Sequence, residues 1–562
     1  MEHQNTKFKI RDIKDYIPEK IKPWILILFV IIYQLSSGVY LAAVGEMCGS
    51  LALMHEDIMM AGYASMVGLA LTFAVMFRLK FRFSIKTSLI TTATGLIICN
   101  LITMNTSSVP LLVAVSLISG FFRMWGTFSC NTTIQLWVTP KRDMAVWFVF
   151  IYLLVQGAIQ LSGLFTIYTS VLGTWEHVHL MMTGLLSVVL FVTMTIFQHF
   201  RQAEKISLSD IDWVGIMLWA ITMLSAIFIL NYGSHYDWFS SEYIRIGGAV
   251  FIISLAMNLW RARTTNSPFI ELATWRYKNV WMTAILYLVV DLLLSPSHLF
   301  EHLYMETVLQ YDSQHAISLN WIVFCGIVCG AVFSYITFAK HNWRYKTMTF
   351  IGFSMIVGYL ITMYFIVDYD VSKEVFWLPL FIRGAGSVVV AIAFITSLTI
   401  IPFENFAQSL TIQGFFSACI GSLLGTTILR ELLVRAHMKN LNEISANFDG
   451  FFYPFEKISM DVAYPLAQRH ALLESMKELY GYLAIIGLIC IVIFFVRESA
   501  LRQKFIGWKS YWRSYLAAIN AGKKIHLVFL PGEKRYDDPE PLPVKLANAV
   551  TAEDLTRATC AQ

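Results

Sequence analysis

Residues 110–130 read PLLVAVSLISGFFRMWGTFSC, and this stretch decides the fold. It is apolar for about 20 residues, enough to cross a hydrocarbon core about 30 Å thick, yet it carries Arg123 in its middle. A cation at that depth costs about 2.5–3.5 kcal/mol on insertion scales and is kept where a bundle interior or a water-filled cavity receives it. One such helix therefore implies neighbours. The chain also writes the stretch twice: Phe121-Phe122-Arg123-Met124-Trp125-Gly126 is echoed by Phe381-Ile382-Arg383-Gly384-Ala385-Gly386. Pro140-Lys141-Arg142-Asp143-Met144-Ala145 returns as Pro402-Phe403-Glu404-Asn405-Phe406-Ala407 in the pattern P-x-x-[DN]-x-A, and Lys86 and Lys346 open apolar runs at nearly the same offset. Three matches at one spacing point to a duplicated unit.

Composition agrees with a lipid solvent. Of 562 residues, 57% are hydrophobic and 14% charged, against about 45–50% and about 25% in soluble domains. With 31 Gly, 14 Pro and 8 Cys, disordered, collagen-like and disulfide-framework classes are excluded. Fourteen apolar runs begin near Trp24, Ile58, Ile85, Pro110, Met144, Val178, Ile211, Tyr243, Val280, Ala316, Thr347, Phe376, Gln408 and Gly481. Helices are required, because lipid offers no partner to an unpaired backbone group; the alternating ten-residue strands of a barrel are absent. The net charge of +5 is not a nucleic-acid signal, because the basic residues are sorted by loop. Arg78, Lys80, Arg82, Lys141, Arg142, Arg201, Lys205, Arg261, Arg263, Arg276, Lys278, Lys340, Arg344 and Lys346 share one side, and the short loops of the other hold only Lys373. The positive-inside rule then places both termini in the cytoplasm. A mixed-charge start and thirteen further spans argue against a cleaved signal peptide. Cys325 and Cys329 share a helix face, but no C-x-x-C pair or cofactor motif occurs.

The repeat maps spans one to six onto spans nine to fourteen and leaves spans seven and eight as an inserted pair. The expected organisation is a tail at 1–23, a six-helix bundle at 24–200, the inserted pair at 201–279 and a second bundle at 280–497. The second bundle contains a long outer segment at 430–478, and a tail at 498–562 carries an amphipathic helix near Phe505–Ile519 suited to the lipid surface. Two parallel six-helix halves around an axis along the membrane normal resemble the major facilitator fold, with its site between the halves near the midplane.

With fourteen spans, the chain resembles the 14-spanner drug:proton antiporters of the EmrB/QacA type. The likeness runs from about Trp24 to Arg497. It is strongest where Asp237-Trp238-Phe239-Ser240-Ser241-Glu242 and Asn266-Ser267-Pro268-Phe269-Ile270-Glu271-Leu272 bracket the eighth span, and Arg123 with Gly126 is similar to the family's fourth-span arginine motif. Three family motifs differ here. Gln34-Leu35-Ser36-Ser37 replaces L-D-x-T, and Phe77-Arg78-Leu79-Lys80-Phe81-Arg82-Phe83-Ser84 keeps only Arg82 of the usual inner loop. Ala158-Ile159-Gln160-Leu161-Ser162-Gly163 replaces G-P-x-x-G-G.

Polar residues in the spans give the candidate site. Asp291, in Leu288-Val289-Val290-Asp291-Leu292-Leu293-Leu294, is the proton-coupling candidate, because a carboxyl in apolar surroundings can exchange a proton near neutral pH. Glu46, at the outer end of the first span, is a second acid. Arg123 must face an acid, carbonyl oxygens or a cavity, and Arg383 is expected nearer the outer face, where its stem can snorkel. Gln34, Gln156, Gln160, Asn131 and Gln413 are expected to line a cavity, with Tyr33, Trp125 and Tyr287 as deep aromatics for a lipophilic substrate. Interhelical hydrogen bonding is the other use of such groups. His298-Leu299-Phe300-Glu301-His302 spells H-x-x-E-H, but it follows Ser295-Pro296 at the outer lip of a span and lacks a third ligand, so it reads as a polar rim rather than an enzyme.

The resemblance implies a transporter of the cytoplasmic (inner) membrane that exports lipophilic or amphiphilic small molecules against protons. It also implies a periplasmic adaptor and an outer-membrane channel as partners. Two alternatives stay open: a facilitator or mover of lipid-like amphiphiles without antiport, and a receptor or scaffold that carries no flux.

Overall fold

The computed structural model describes residues 10–139, 143–200, 208, 211–265, 267–341, 343–446 and 460–496. Among these, thirteen helices are long and apolar enough to cross a membrane, and two shorter apolar helices, Lys22–Leu35 and Leu41–Leu51, precede them. The first half holds α1 (Lys22–Leu35), α2 (His55–Arg82), α3 (Ile85–Met104), α4 (Val109–Val138), α5 (Met144–Val171) and α6 (Trp175–Ile196). The inserted pair is α7 (Trp213–Tyr232) and α8 (Glu242–Thr264). The second half holds α9 (Lys278–Val308), α10 (Ser313–Lys340), α11 (Tyr345–Ile366), α12 (Trp377–Leu398), α13 (Asn405–Ala446) and α14 (Met460–Val496). Each of the fourteen apolar runs in the sequence corresponds to one of these helices.

Local chemistry sets the helix starts. Side-chain oxygens of Ser84, Asp143 and Asp212 accept from the amides of Thr87, Ala145 and Gly215 at 3.3, 3.2 and 2.9 Å, satisfying orphan donors at the first turns of α3, α5 and α7. Packing then follows the duplication. In the first half α2 packs on α4 and α3 on α6; in the second, α10 packs on α12 and α11 on α14. The α2/α4 crossing is a glycine contact on both sides. A Cβ on Gly68 would overlap the Leu117 carbonyl oxygen, and one on Gly120 would overlap that of Ser65. The α10/α12 crossing repeats the device, with Gly326 against the Phe381 carbonyl and Gly384 against that of Val323. Small residues that let backbones meet are how helices associate when lipid removes the hydrophobic drive.

The halves meet at two seams, α2 on α13 and α5 on α10. Under the duplication these are the same contact made twice. The inserted pair pack on each other, and α7 also touches α2 and α13, so the pair straps one seam and leaves its equivalent bare.

Three features add to what the sequence shows. The first tail is not free from its tenth residue onward: Ile10 and Ile13 are buried, and Lys14 N donates to Ile196 O at 3.1 Å beneath the first bundle. Lys22 is fully buried, donating to Glu19 Oε1 at 2.7 Å and to the carbonyls of Ile10 and Ile13 at 3.2 and 3.3 Å. Pro296 does not end α9, which runs to Val308; Ser295 Oγ donates to Leu292 O at 2.7 Å and so serves the carbonyl that proline leaves bare. The described residues of the outer segment, 430–446 and 460–478, are helical. α13 spans 42 residues, roughly 60 Å at 1.5 Å per residue, and pairs beyond the apolar zone with α14, where Asn440 Nδ2 donates to Ser475 Oγ at 2.9 Å. The Phe505–Ile519 stretch lies outside the described residues.

Candidate functional site

A cavity of about 2360 Å³ lies between the halves, lined by α1, α2, α4 and α5 on one side and by α9, α10, α12 and α13 on the other. Its wall is mostly apolar and aromatic, with Phe73, Phe77, Trp147, Phe148 and Tyr152 among the rings. Eight of the residues singled out in the sequence reach it: Asp291, Arg123, Arg383, Gln34, Gln156, Gln160, Asn131 and Gln413. Four do not. Tyr33 is buried inside the first bundle, its hydroxyl donating to Leu89 O at 3.0 Å and lying 2.9 Å from Thr92 Oγ1. Trp125 sits among Phe83, Phe121 and Phe122. Tyr287 meets the Phe394 ring edge-on at 4.8 Å within the second bundle. Glu46 is exposed on a short helix, Val44–Leu51, whose Val44 and Gly45 reach the cavity while Glu46 itself does not line it.

Arg123 is buried and faces an amide rather than an acid. Its Nη2 donates to Gln34 Oε1 at 3.0 Å, and Gln34 Nε2 donates in turn to Thr127 Oγ1 at 3.1 Å. Its Nε has no hydrogen-bond partner, and among the described residues no carboxylate lies within ion-pair distance of it. Asp291, on α9, packs against the wide turn Phe415–Gly421 of α13, where only glycine fits at 421. Its Oδ2 is shut from solvent without a hydrogen-bond partner, as are Gln413 Oε1 and Asn131 Oδ1. Polar atoms left open in this way are rare in folded proteins and mark places where something else is accommodated.

Arg383 does not snorkel. Its Nη1 donates to Glu301 Oε2 at 2.6 Å, Tyr359 Oη donates to Glu301 Oε1 at 2.6 Å, and the guanidinium lies 5.8 Å from the centre of the Tyr359 ring. Glu301 belongs to the H-x-x-E-H run read above as a rim, and its burial is what that reading missed. The one sequence signal was Ser295, whose hydroxyl can serve the carbonyl that Pro296 frees and let the helix continue. His298 and His302 line the same end of the cavity, and His302 Nδ1 lies 3.1 Å from Glu306 Oε2. Among the described residues no group of three His, Cys, Asp or Glu side chains has the arrangement of a metal site.

The two sequence motifs that bracket α8 both grip α13. Trp238 Nε1 donates to Glu431 Oε1 at 3.1 Å, while Gln408 Oε1 accepts from Glu271 N at 3.0 Å and Thr274 Oγ1 at 2.7 Å. Glu431 and Gln408 are roughly 35 Å apart along a helix of this rise, about one membrane thickness. Near Glu431, Arg430 pairs with Glu56 of α2 at 3.2 Å. Near Gln408, Asp212 holds Arg261 at 2.7 Å and accepts from the Phe269 amide at 3.3 Å. Burial raises the Asp212 carboxyl, but the Arg261 guanidinium and the Gly215 and Phe269 amides outweigh it and hold the group below the usual carboxylate range.

No family model matches the chain. The colistin resistance protein EmrB of Acinetobacter baumannii is 20% identical over 301 residues, a match spanning 50% of this chain and 57% of that protein. Among solved structures, a variant of the peptide transporter POT with alafosfalin superposes at a TM-score of 0.55 and 12% identity, covering 86% of this chain and 96% of its own. Tetrameric PepTSo2 gives 0.53 at 12% identity over 85% and 97%. A variant of the nucleoside transporter NupG gives 0.51 at 12% identity over 84% and 100%. The class is thereby set: an all-helical, multi-pass integral membrane protein with the major facilitator fold. Among the described residues, thirteen helices are long and apolar enough to cross a membrane, and α7 and α8 lie between the two halves in chain order.

Proposed function

We propose that the protein is a secondary transporter that exports lipophilic or amphiphilic small molecules by alternating access between its halves, with Asp291 binding the coupling proton. One observation carries the reading. A large, ring-lined cavity lies between two pseudo-symmetric halves and holds two charges, Arg123 and Asp291, that have no counter-ion among the described residues. The matched seams, α2/α13 and α5/α10, are the surfaces on which such halves rock. The uncompensated Asp291 charge is expensive in this setting, so the neutral acid is the form that crosses between faces. The apolar wall accepts a lipophilic body, and the likeness to EmrB, a colistin resistance protein, supports the reading. The sorting of basic residues supports a cytoplasmic-membrane location with both ends inside.

A facilitator without proton coupling is the second reading. It is favoured by α5, whose Ala158–Gly163 stretch runs as continuous helix where the resembling family carries G-P-x-x-G-G. Flux of lipophilic fluorescent compounds into vesicles containing the purified protein separates the two. An imposed pH gradient drives accumulation in the first case and leaves only equilibration in the second. Vesicles that equilibrate no faster than protein-free controls would refute transport altogether.

A further inference from the structure

The charges in the cavity do not balance locally. On the α12 side Arg383 is neutralised by Glu301 at 2.6 Å, and at one end Arg430 is neutralised by Glu56 at 3.2 Å. Arg11, at the other end, is exposed to solvent. Arg123 differs from all of these. It is 6% exposed, and among the described residues its hydrogen-bonded partner is the Gln34 amide, its Nε is bare and no carboxylate lies within ion-pair distance.

A guanidinium offers five N–H donors in a planar fork that fits two carboxylate oxygens at once. With its Nε shut from solvent and unpaired, it costs free energy in the empty protein, and an arriving anion recovers it. A neutral compound of the same shape recovers none. We infer that the transported compounds carry an anionic group of carboxylate geometry that docks on Arg123, with their apolar body against the rings of the same cavity. This names the substrate class of the transport reading above and rests on it.

Gln34 supplies the decisive variant. Its Oε1 already accepts from Arg123, so Gln34→Glu puts a permanent counter-ion on the guanidinium, and the Thr127 hydroxyl that accepts from Gln34 Nε2 can turn to donate to the new carboxylate. The full-length protein in lipid nanodiscs is titrated calorimetrically with 1-naphthoate and with 1-naphthamide, which share ring and shape. The naphthoate is expected to bind about tenfold more tightly, the value of one charge-assisted hydrogen bond. Arg123→Gln and Gln34→Glu should each abolish that preference, while Arg123→Lys keeps part of it. Equal affinity for the two compounds, no binding of either, or a preference that survives Gln34→Glu overturns the inference. Flux in vesicles separates this failure from the other one. Passage of the amide alone leaves transport intact and removes the anion site. Preferential naphthoate binding with no flux of either compound keeps the site and removes transport.

Discussion

Arg383 on α12 and Glu301 on α9 form a 2.6 Å ion pair inside the second bundle, closed by the Tyr359 hydroxyl. Two charges taken out of water hold helices together only as a unit. Glu301→Gln leaves Arg383 buried without a counter-ion and is expected to cost about 3–5 kcal/mol. The double replacement Glu301→Leu with Arg383→Met removes both charges and should be markedly more stable than either single variant. Thermal unfolding of the four proteins in one detergent forms the cycle; additive losses would show that the pair is not coupled.

The glycine crossings make a second prediction. At Gly68 a side chain would enter the Leu117 carbonyl, whereas nothing lies within 4 Å of a Cβ on Gly184 of α6. Gly68→Val and Gly326→Val should each cost about 3 kcal/mol or more by overpacking, visible as loss of monodisperse protein after extraction. Gly184→Ala should extract like the parent chain. If Gly68→Val extracts equally well, the close approach of α2 and α4 is not as described.

The spans and the duplication were legible because lipid punishes polar backbone and isolated charge, so hydropathy and the doubled Arg123/Arg383 stretch report the architecture directly. Gln156 and Gln160 were legible for the same reason, being polar, four apart and costly anywhere but a cavity. Rotation of a helix about its axis was not. Tyr33 and Trp125 lie as deep as Arg123 along the chain, but in membrane helices apolar residues occupy every face, and periodicity cannot tell the cavity from the bundle core. Glu301 was obscured by Pro296, which in water would end a helix and in lipid does not, because the Ser295 hydroxyl takes over the freed carbonyl.

Asp212 gives a pH prediction outside the membrane zone. Its carboxyl caps α7 and holds Arg261 and the Phe269 amide, and it lies below its ordinary range. A group that binds its proton less readily folded than unfolded stabilises the fold above the unfolded value of about 3.9. That contribution fades as pH falls through the lower folded value. Asp212→Asn is therefore expected to destabilise by about 2 kcal/mol at pH 7, and the gap to the parent chain should close on acidification below the unfolded value. Unfolding curves at a series of pH values check it; a gap that is constant with pH would mean that capping geometry, and not charge, carries the effect.

Asp291 separates coupling from scaffolding. Its Oδ2 has no hydrogen-bond partner and its side chain fills the space that Gly421 leaves in the wide turn of α13. A carboxylate that locked α9 to α13 would show bonded oxygens, and its loss would weaken the bundle. One that carries a proton has nothing structural to lose. Asp291→Asn imitates the neutral acid at the same volume, so its thermal stability should equal or exceed that of the parent chain. Accumulation driven by a pH gradient should vanish, while exchange of substrate across the vesicle wall persists because the halves still rock. Full gradient-driven accumulation by the variant would remove Asp291 from the coupling step, and a lowered unfolding temperature would assign it to holding α9 against α13.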